Sequence, residues 1–414
     1  MAHAETAAPA APATTGAVAA IAICFLVAVL EGFDIQAIGL VNKALSAELG
    51  LSPGQSGLVL SASNIGLVPG AALGGWLADR IGRKPVFMLA VLTFGVFTFA
   101  TAATSDYWPL LAVRFLTGFG FGAALPNIMA IAAEISRPDR RASTATTMFC
   151  GMPLGGAASA IFIANLPPNT DWRFIFYVGG TIPLVFALLI WLGLKETRRA
   201  SARNEAKPVS TAKALFGEGR ASSTLLLWIT FFPTLMILYM LLNWLPALVA
   251  DKGLAKPLEL FLGALKIGVN ASFTFNIASV AGALVLGQII DRIGFRWPTI
   301  VSYACLLGAL IGLAKATTLS PVLMYAGIAG FFILGVQYAL YGVAASFYPA
   351  AIRGIGSGAA TAIGRCGAIL GPLLAGELRQ AGFSPERTIL ALAPAAVAAG
   401  IAVFMLSFRP QAKD

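Results

Sequence analysis

The sequence predicts an all-α membrane protein with twelve transmembrane helices in two six-helix halves. Three observations carry this. The 414 residues are 58% hydrophobic and only 11% charged, with a mean hydropathy of +0.83, whereas a soluble domain carries roughly 25% charge. The apolar residues fall into twelve runs, each near the roughly 20 residues that a helix needs to span a bilayer. The charged loop motif that follows the second run returns after the eighth.

The runs lie at 18–42, 54–78, 85–104, 107–134, 143–166, 174–194, 223–250, 267–290, 297–315, 321–347, 354–376 and 387–408. Residues 1–17, rich in Ala, Pro and Thr, read as a disordered tail without the basic region of a signal peptide. Segment 195–222 is the longest polar stretch and reads as a cytoplasmic linker. It joins a first bundle, 18–194, to a second, 223–408, with 409–414 as a short tail.

An even number of spans leaves both termini on one side. With that side inside, the inner loops and tail hold 18 Lys and Arg against 8 in the outer loops. Positive residues favour the cytoplasm, so the expectation is N-in and C-in. The net charge of +10 therefore reads as an orientation signal, and no nucleic-acid partner is expected.

Several chemistries are excluded. The single histidine, His3, lies in the tail, so a Ser/His/Asp triad, a His-ligated metal and a histidine proton relay are absent. Cys24, Cys150, Cys305 and Cys366 lie far apart in apolar runs and read as buried free thiols. No Gly-Lys dipeptide occurs, so there is no P-loop and no ATP drive from this chain. No metal or cofactor is expected, and a membrane-embedded enzyme lacks a nucleophile with its base. If the chain moves a solute, an ion gradient or the solute's own gradient must drive it; a purely structural membrane scaffold is the other class left.

The two halves are in parallel register. Asp79-Arg80-Ile81-Gly82 falls on Asp291-Arg292-Ile293-Gly294 at an offset that also carries Arg141 onto Arg353. Repeats of this kind place a binding site between the halves at mid-membrane.

Here a family is recognisable. GGWLADRIGRKP (74–85) resembles the signature between spans two and three of the major facilitator superfamily, and Arg114-Phe-Leu-Thr-Gly118-Phe-Gly120 resembles its span-four motif. Glu31-Gly32-Phe33-Asp34-Ile35-Gln36-Ala37 is similar to the acidic span-one motif of the aromatic acid:proton symporters, with Glu where many members have Asp. Other segments, IGRCGAILGPLLAG (363–376) among them, look most like bacterial 3-(3-hydroxyphenyl)propionate transporters. The resemblance implies a major facilitator fold in the bacterial inner membrane. It also implies proton-coupled uptake of an aromatic monocarboxylate by a chain expected to work as a monomer. An exporter or uniporter of another organic anion, such as muconate or a sugar acid, is the alternative.

Glu31 and Asp34 share one helix face and are the only acids well inside the spans. Intramembrane ionisable groups default to a functional role. At 1.5 Å per residue, Asp34 lies about 12 Å, Glu31 about 16 Å and Arg114 about 10 Å below the outer surface. Arg114 can therefore pair with Asp34 or with Glu31. Either the three groups compete for one proton, with Glu31 and Asp34 as the coupling site, or Arg114 and Asp34 form a fixed pair pinning span one to span four. Arg365 lies about 17 Å deep, with no acid of its own half near that depth. It points to a substrate carboxylate bound through two parallel hydrogen bonds; the bland reading is packing against backbone carbonyls near Gly364 and Gly367. Asn127, Asn243, Gln337, Tyr338 and Tyr341 are polar or aromatic within spans and could read a ring or hydroxyl, or simply bond between helices.

The resemblance further implies a cytoplasmic gate of Asp79, Arg80, Arg83 and Lys84, with Asp79 at the N-terminus of span eleven and Arg83 paired with Glu134. Asp291 and Arg353 are its counterparts in the second half.

Overall fold

The computed structural model describes residues 15–135, 147–167, 170–193, 210–254 and 267–412. Its spanning helices are α1 (Thr15–Leu49), α2 (Pro53–Ile81), α3 (Arg83–Thr101), α4 (Tyr107–Ile135), α5 (Gly151–Ala164) and α6 (Arg173–Gly193). The second half follows with α7 (Ala221–Ala250), α8 (Ile267–Ile293), α9 (Arg296–Lys315), α10 (Leu319–Ser346), α11 (Arg353–Gln380) and α12. The last, Pro385–Leu406, is interrupted between Leu390 and Ala393. Twelve helices among the described residues are long and apolar enough to cross a membrane.

Local chemistry sets several boundaries. The Ser52 side chain accepts from the Gln55 backbone N–H while Gln55 returns a bond to Ser52, and Pro53 opens α2. This reciprocal cap satisfies two donors that the first helical turn leaves unpaired. The turn into α3 is made by Gly82 at φ 100°, and its repeat counterpart Gly294 has φ 79°. A side chain at either place would be strained, so the duplicated motif is a duplicated turn. A short helix, Thr211–Phe216, lies within the segment expected as linker. It buries Ala214 and Leu215, and the Leu215 carbonyl accepts from Thr224 of α7.

Packing follows the repeat. The extensive α2–α4 and α1–α5 contacts of the first half recur as α8–α10 and α7–α11 in the second. Between the halves, α2 meets α11, α5 meets α8 and α1 meets α7. Small residues bring backbones together: Gly66, Gly70 and Gly118 sit against backbone at the α2–α4 crossing, where any side chain would clash.

The interface between the halves is not uniform. At the face remote from the termini, Gly57 of α2 lies against Pro372 and Gly376 of α11, and Ser61 donates to the Ile369 carbonyl at 2.8 Å. Five helical turns earlier on the same face of α11 are Gly354 and Gly358, where an added Cβ would meet nothing. The halves are therefore pressed together at the far face; toward the face that carries the termini this stripe of α11 lies open, a splay local to it, since Tyr338 of the second half still bonds the Phe149 carbonyl of the first.

Not every buried-residue expectation survives. Cys24 and Cys150 are buried, but Cys305 is half-buried and Cys366 exposed. Cys366 falls on an exposed stripe of α11 with Ala362 and Leu370, which an apolar run by itself does not distinguish from a buried one.

Candidate functional site

The two acids of α1 have different partners. Asp34 is locked within the first half: Arg114 Nη1 donates to its Oδ1 at 3.1 Å, Arg114 Nη2 lies 2.9 Å from its Oδ2, and Thr98 donates to Oδ1 at 2.9 Å. Arg114 and Asp34 are 1% and 2% exposed, and the guanidinium also lies over the Phe176 ring. This buried ion pair, with one Arg114–Asp34 hydrogen bond and Asp34 Oδ2 left without one, thus ties α1, α3, α4 and α6 together. Of the two pairings open to Arg114, the structure takes Asp34.

Glu31, one turn earlier, is 1% exposed, and its Oε1 is buried without a hydrogen-bond partner. Its electrostatic counterpart is Arg365, on the other half. Arg365 Nη1 donates to the Tyr239 hydroxyl of α7 at 3.0 Å, and Tyr239, Tyr341 and Glu31 together make up the charged and polar surroundings of the guanidinium. The half-buried cation therefore does have an acid within electrostatic reach, supplied by the first half of the chain. Tyr239 was not among the expected site residues. Its signal was its position one turn before Asn243 on the same face of an otherwise apolar helix.

Among the remaining candidates, Asn127 donates to the Ala123 carbonyl of its own helix and lies outside this cluster of contacts. Asn243 donates to the Tyr239 carbonyl, leaving Oδ1 unpartnered, and its backbone packs on Gly39 of α1. Gln337 donates to the Tyr341 hydroxyl at 3.1 Å. Tyr338 donates to the Phe149 carbonyl at 2.8 Å, bridging the halves on the side nearer the termini.

The far face carries contacts that sequence reasoning missed. Gln36 and Asn276 exchange hydrogen bonds between α1 and α8. Asp251, capping α7, binds Lys43 of α1 at 3.0 Å and Arg379 of α11 at 2.9 Å. Gln380 accepts from Ser52 and from the Gly54 N–H. Lys43 and Arg379 had entered only within the outer-loop Lys and Arg count, and Asp251 not at all; their pairing depends on which loops the fold brings together.

At the opposite face, Asp79 and Asp291 are exposed, and Arg80 stacks over Trp76 at 3.9 Å. Arg353 reaches the Tyr348 carbonyl of its own half at 3.4 Å. Among the described residues no hydrogen bond joins Asp79 to α11, as the splay there requires. Arg83 and Lys84 open α3 and are half-buried, and the side chain of Glu134 lies outside the described residues. A surface groove of about 420 Å³, apolar, lies between α2 and α4 among Leu58, Ile65, Trp108 and Phe115, apart from this chemistry.

Comparison with known proteins agrees with this architecture. The Major Facilitator Superfamily profile matches residues 24–372. The chain is 37% identical to the 3-(3-hydroxy-phenyl)propionate transporter of Escherichia coli (strain K12), covering 94% of each chain. It is 34% identical to the 4-hydroxybenzoate transporter PcaK of Pseudomonas aeruginosa, over 91% of this chain and 89% of that one. Among solved structures, the nucleoside transporter NupG superposes with a TM-score of 0.76 at 16% identity, covering 95% of this chain and 100% of that one. The inward open conformation of the xylose transporter XylE from Escherichia coli gives 0.71 at 16%, covering 96% and 97%. Twelve membrane helices in two matched halves, with buried charge where they meet, are the working parts of a carrier rather than an enzyme: this chain is a multi-pass inner-membrane transporter that belongs to the major facilitator superfamily.

Proposed function

We propose that the protein takes up an aromatic monocarboxylate together with a proton, by alternating access between its halves. The observation that carries this reading is the electrostatic interaction of Glu31 with Arg365 across the interface, with Tyr239 on the guanidinium and one Glu31 oxygen unpartnered. A guanidinium recognises a carboxylate through parallel hydrogen bonds. While the site is empty, ionised Glu31 balances Arg365. An arriving substrate carboxylate takes over the cation, and Glu31, left buried without a counter-charge, takes a proton. Substrate and proton then occupy the site together, and the loaded site is electrically neutral with respect to the empty one. That matters energetically, since carrying a lone anion into an inside-negative cell works against about 2.3 kcal/mol per 100 mV.

The aromatic class rests on the relatives, whose names specify hydroxyphenylpropionate and hydroxybenzoate, and on Tyr239 and Tyr341 around the cation. Placing the termini in the cytoplasm rests on the distribution of Lys and Arg. The far face is then the outer one, and the splay opens the site toward the cytoplasm.

The test is uptake of labelled aromatic acids into proteoliposomes, with and without an imposed pH gradient. Wild-type protein is expected to accumulate the acid only with the gradient. Glu31→Gln is expected to keep solute exchange and lose accumulation. Accumulation that persists in Glu31→Gln removes Glu31 from coupling, and accumulation under an outward-directed gradient would make the protein an exporter.

A further inference from the structure

Two buried amide side chains on the second half hold carbonyl oxygens with no donor. Gln337, on α10, is 6% exposed; its Nε2 is spent on the Tyr341 hydroxyl, and its Oε1 is unpartnered. Asn243, on α7, is 1% exposed, with Oδ1 likewise unpartnered. Buried acceptors are nearly always satisfied, and one left unpaired is destabilising. Their settings differ. The Asn243 backbone is packed on Gly39 at the sealed end. Gln337 is bonded to Tyr341, which belongs to the immediate electrostatic surroundings of Arg365.

We infer that Gln337 Oε1 is the acceptor for a neutral hydroxyl on the substrate's ring, which makes Gln337 a specificity-determining residue for ring-hydroxylated acids. The inference rests on the transport reading above and deepens it. The donor–acceptor inventory assigns the two ends of the ligand. The Arg365 guanidinium has only donors to offer, so it takes the anionic end. The free oxygen of Gln337 can only accept, so it repels a carboxylate and takes an O–H. Because Gln337 donates to the Tyr341 oxygen, the Tyr341 proton is directed elsewhere and does not fill the vacant acceptor. An ether or a bare ring position offers no proton there, and the oxygen stays unpaired in the loaded site.

The experiment compares three labelled acids of one skeleton in proteoliposomes: 3-hydroxyphenylpropionate, its 3-methoxy analogue and unsubstituted phenylpropionate. Apparent affinities come from competition. Wild-type protein is expected to prefer the hydroxyl form over both others by at least about tenfold, the range that loss of a donor to a buried acceptor produces. Gln337→Met removes the acceptor at similar volume and is expected to bring the three affinities within about twofold, by weakening the hydroxyl form alone. Gln337→Glu, which keeps an acceptor, is expected to retain the order. Tyr341→Phe leaves Oε1 in place and is expected to retain it too. Transport of all three acids by wild type without discrimination overturns the inference while leaving the transport reading intact, and does so even if Gln337→Met does not fold. Discrimination that survives Gln337→Met, or that collapses instead in Asn243→Leu, also overturns it. Uptake of none of the three overturns the transport reading and this inference with it.

Discussion

Gln36 and Asn276 clasp each other across the two halves of the protein, with Nε2 to Oδ1 at 2.8 Å and Nδ2 to Oε1 at 2.6 Å. Both side chains are buried, at 3% and 0% exposure. The clasp lies in the sealed half of the interface, so it must part whenever the far face opens.

Removing one partner leaves a buried amide with unmet bonds, at about 1–3 kcal/mol. Gln36→Leu is therefore expected to weaken the closed far face and raise the reactivity of a cysteine placed at Ser52 toward an impermeant maleimide added from that side. Gln36→Leu combined with Asn276→Leu is expected to have a smaller effect than Gln36→Leu alone, because no orphaned amide remains. Unchanged reactivity in the single variant would show that the clasp does not hold the face shut.

The ion pairs at the same face have a different weight. Lys43 and Asp251 have side chains 71% and 30% exposed, and Arg379 is 23% exposed. Solvent and salt screen such pairs, which are worth about 0–1 kcal/mol. Asp251→Asn is expected to raise Ser52→Cys reactivity less than Gln36→Leu does, and the effect is expected to vanish at high salt. A larger, salt-resistant effect would reverse this ranking of amides over charges.

Arg114 and Asp34 form a buried pair within the first half. Breaking a buried pair from one side leaves an uncompensated charge and costs about 3–5 kcal/mol. Arg114→Ala is expected to lower the melting temperature of the detergent-purified protein sharply, while Arg114→Gln with Asp34→Asn recovers part of the loss. Glu31→Gln is expected to leave the melting temperature close to wild type. If Glu31→Gln were the more destabilising change, the roles of the two acids would have to be exchanged.

The splay is open to direct chemical test. A cysteine at Gly358, where a side chain meets nothing, is expected to react with a water-soluble maleimide from the face that bears the termini. One at Ser61, fully buried and bonded to α11, is expected to stay unreactive. Equal labelling at the two positions would mean that the interface does not widen along α11.

Much of this architecture was legible in the chain because membrane insertion is read residue by residue. Apolar length sets each span, and the Asp79–Gly82 and Asp291–Gly294 motifs declare the duplication. The positive φ at Gly82 and Gly294 is the structural counterpart of that repeated motif. The fixed helical rise also gave each intramembrane charge an expected depth, and it brought Glu31, Asp34, Arg114 and Arg365 to the fore. A hydroxyl such as that of Tyr239 passed unnoticed because it barely alters hydropathy.

What spacing along one helix could not settle was which partner each group meets. Glu31 and Asp34 are three residues apart, yet Asp34 is bound to Arg114 within its own half while Glu31 interacts electrostatically with Arg365 of the second half. That outcome depends on the rotation of α1 about its axis and on the angle at which the halves lean together. Both are set by long-range packing, through Gly39 against Asn243 and Gly57 against Gly376. The sequence by itself determined the helices, their duplication and the buried charges. Only the tertiary structure decided which of those charges are tied down and which are left facing one another, because that choice is made between segments hundreds of residues apart.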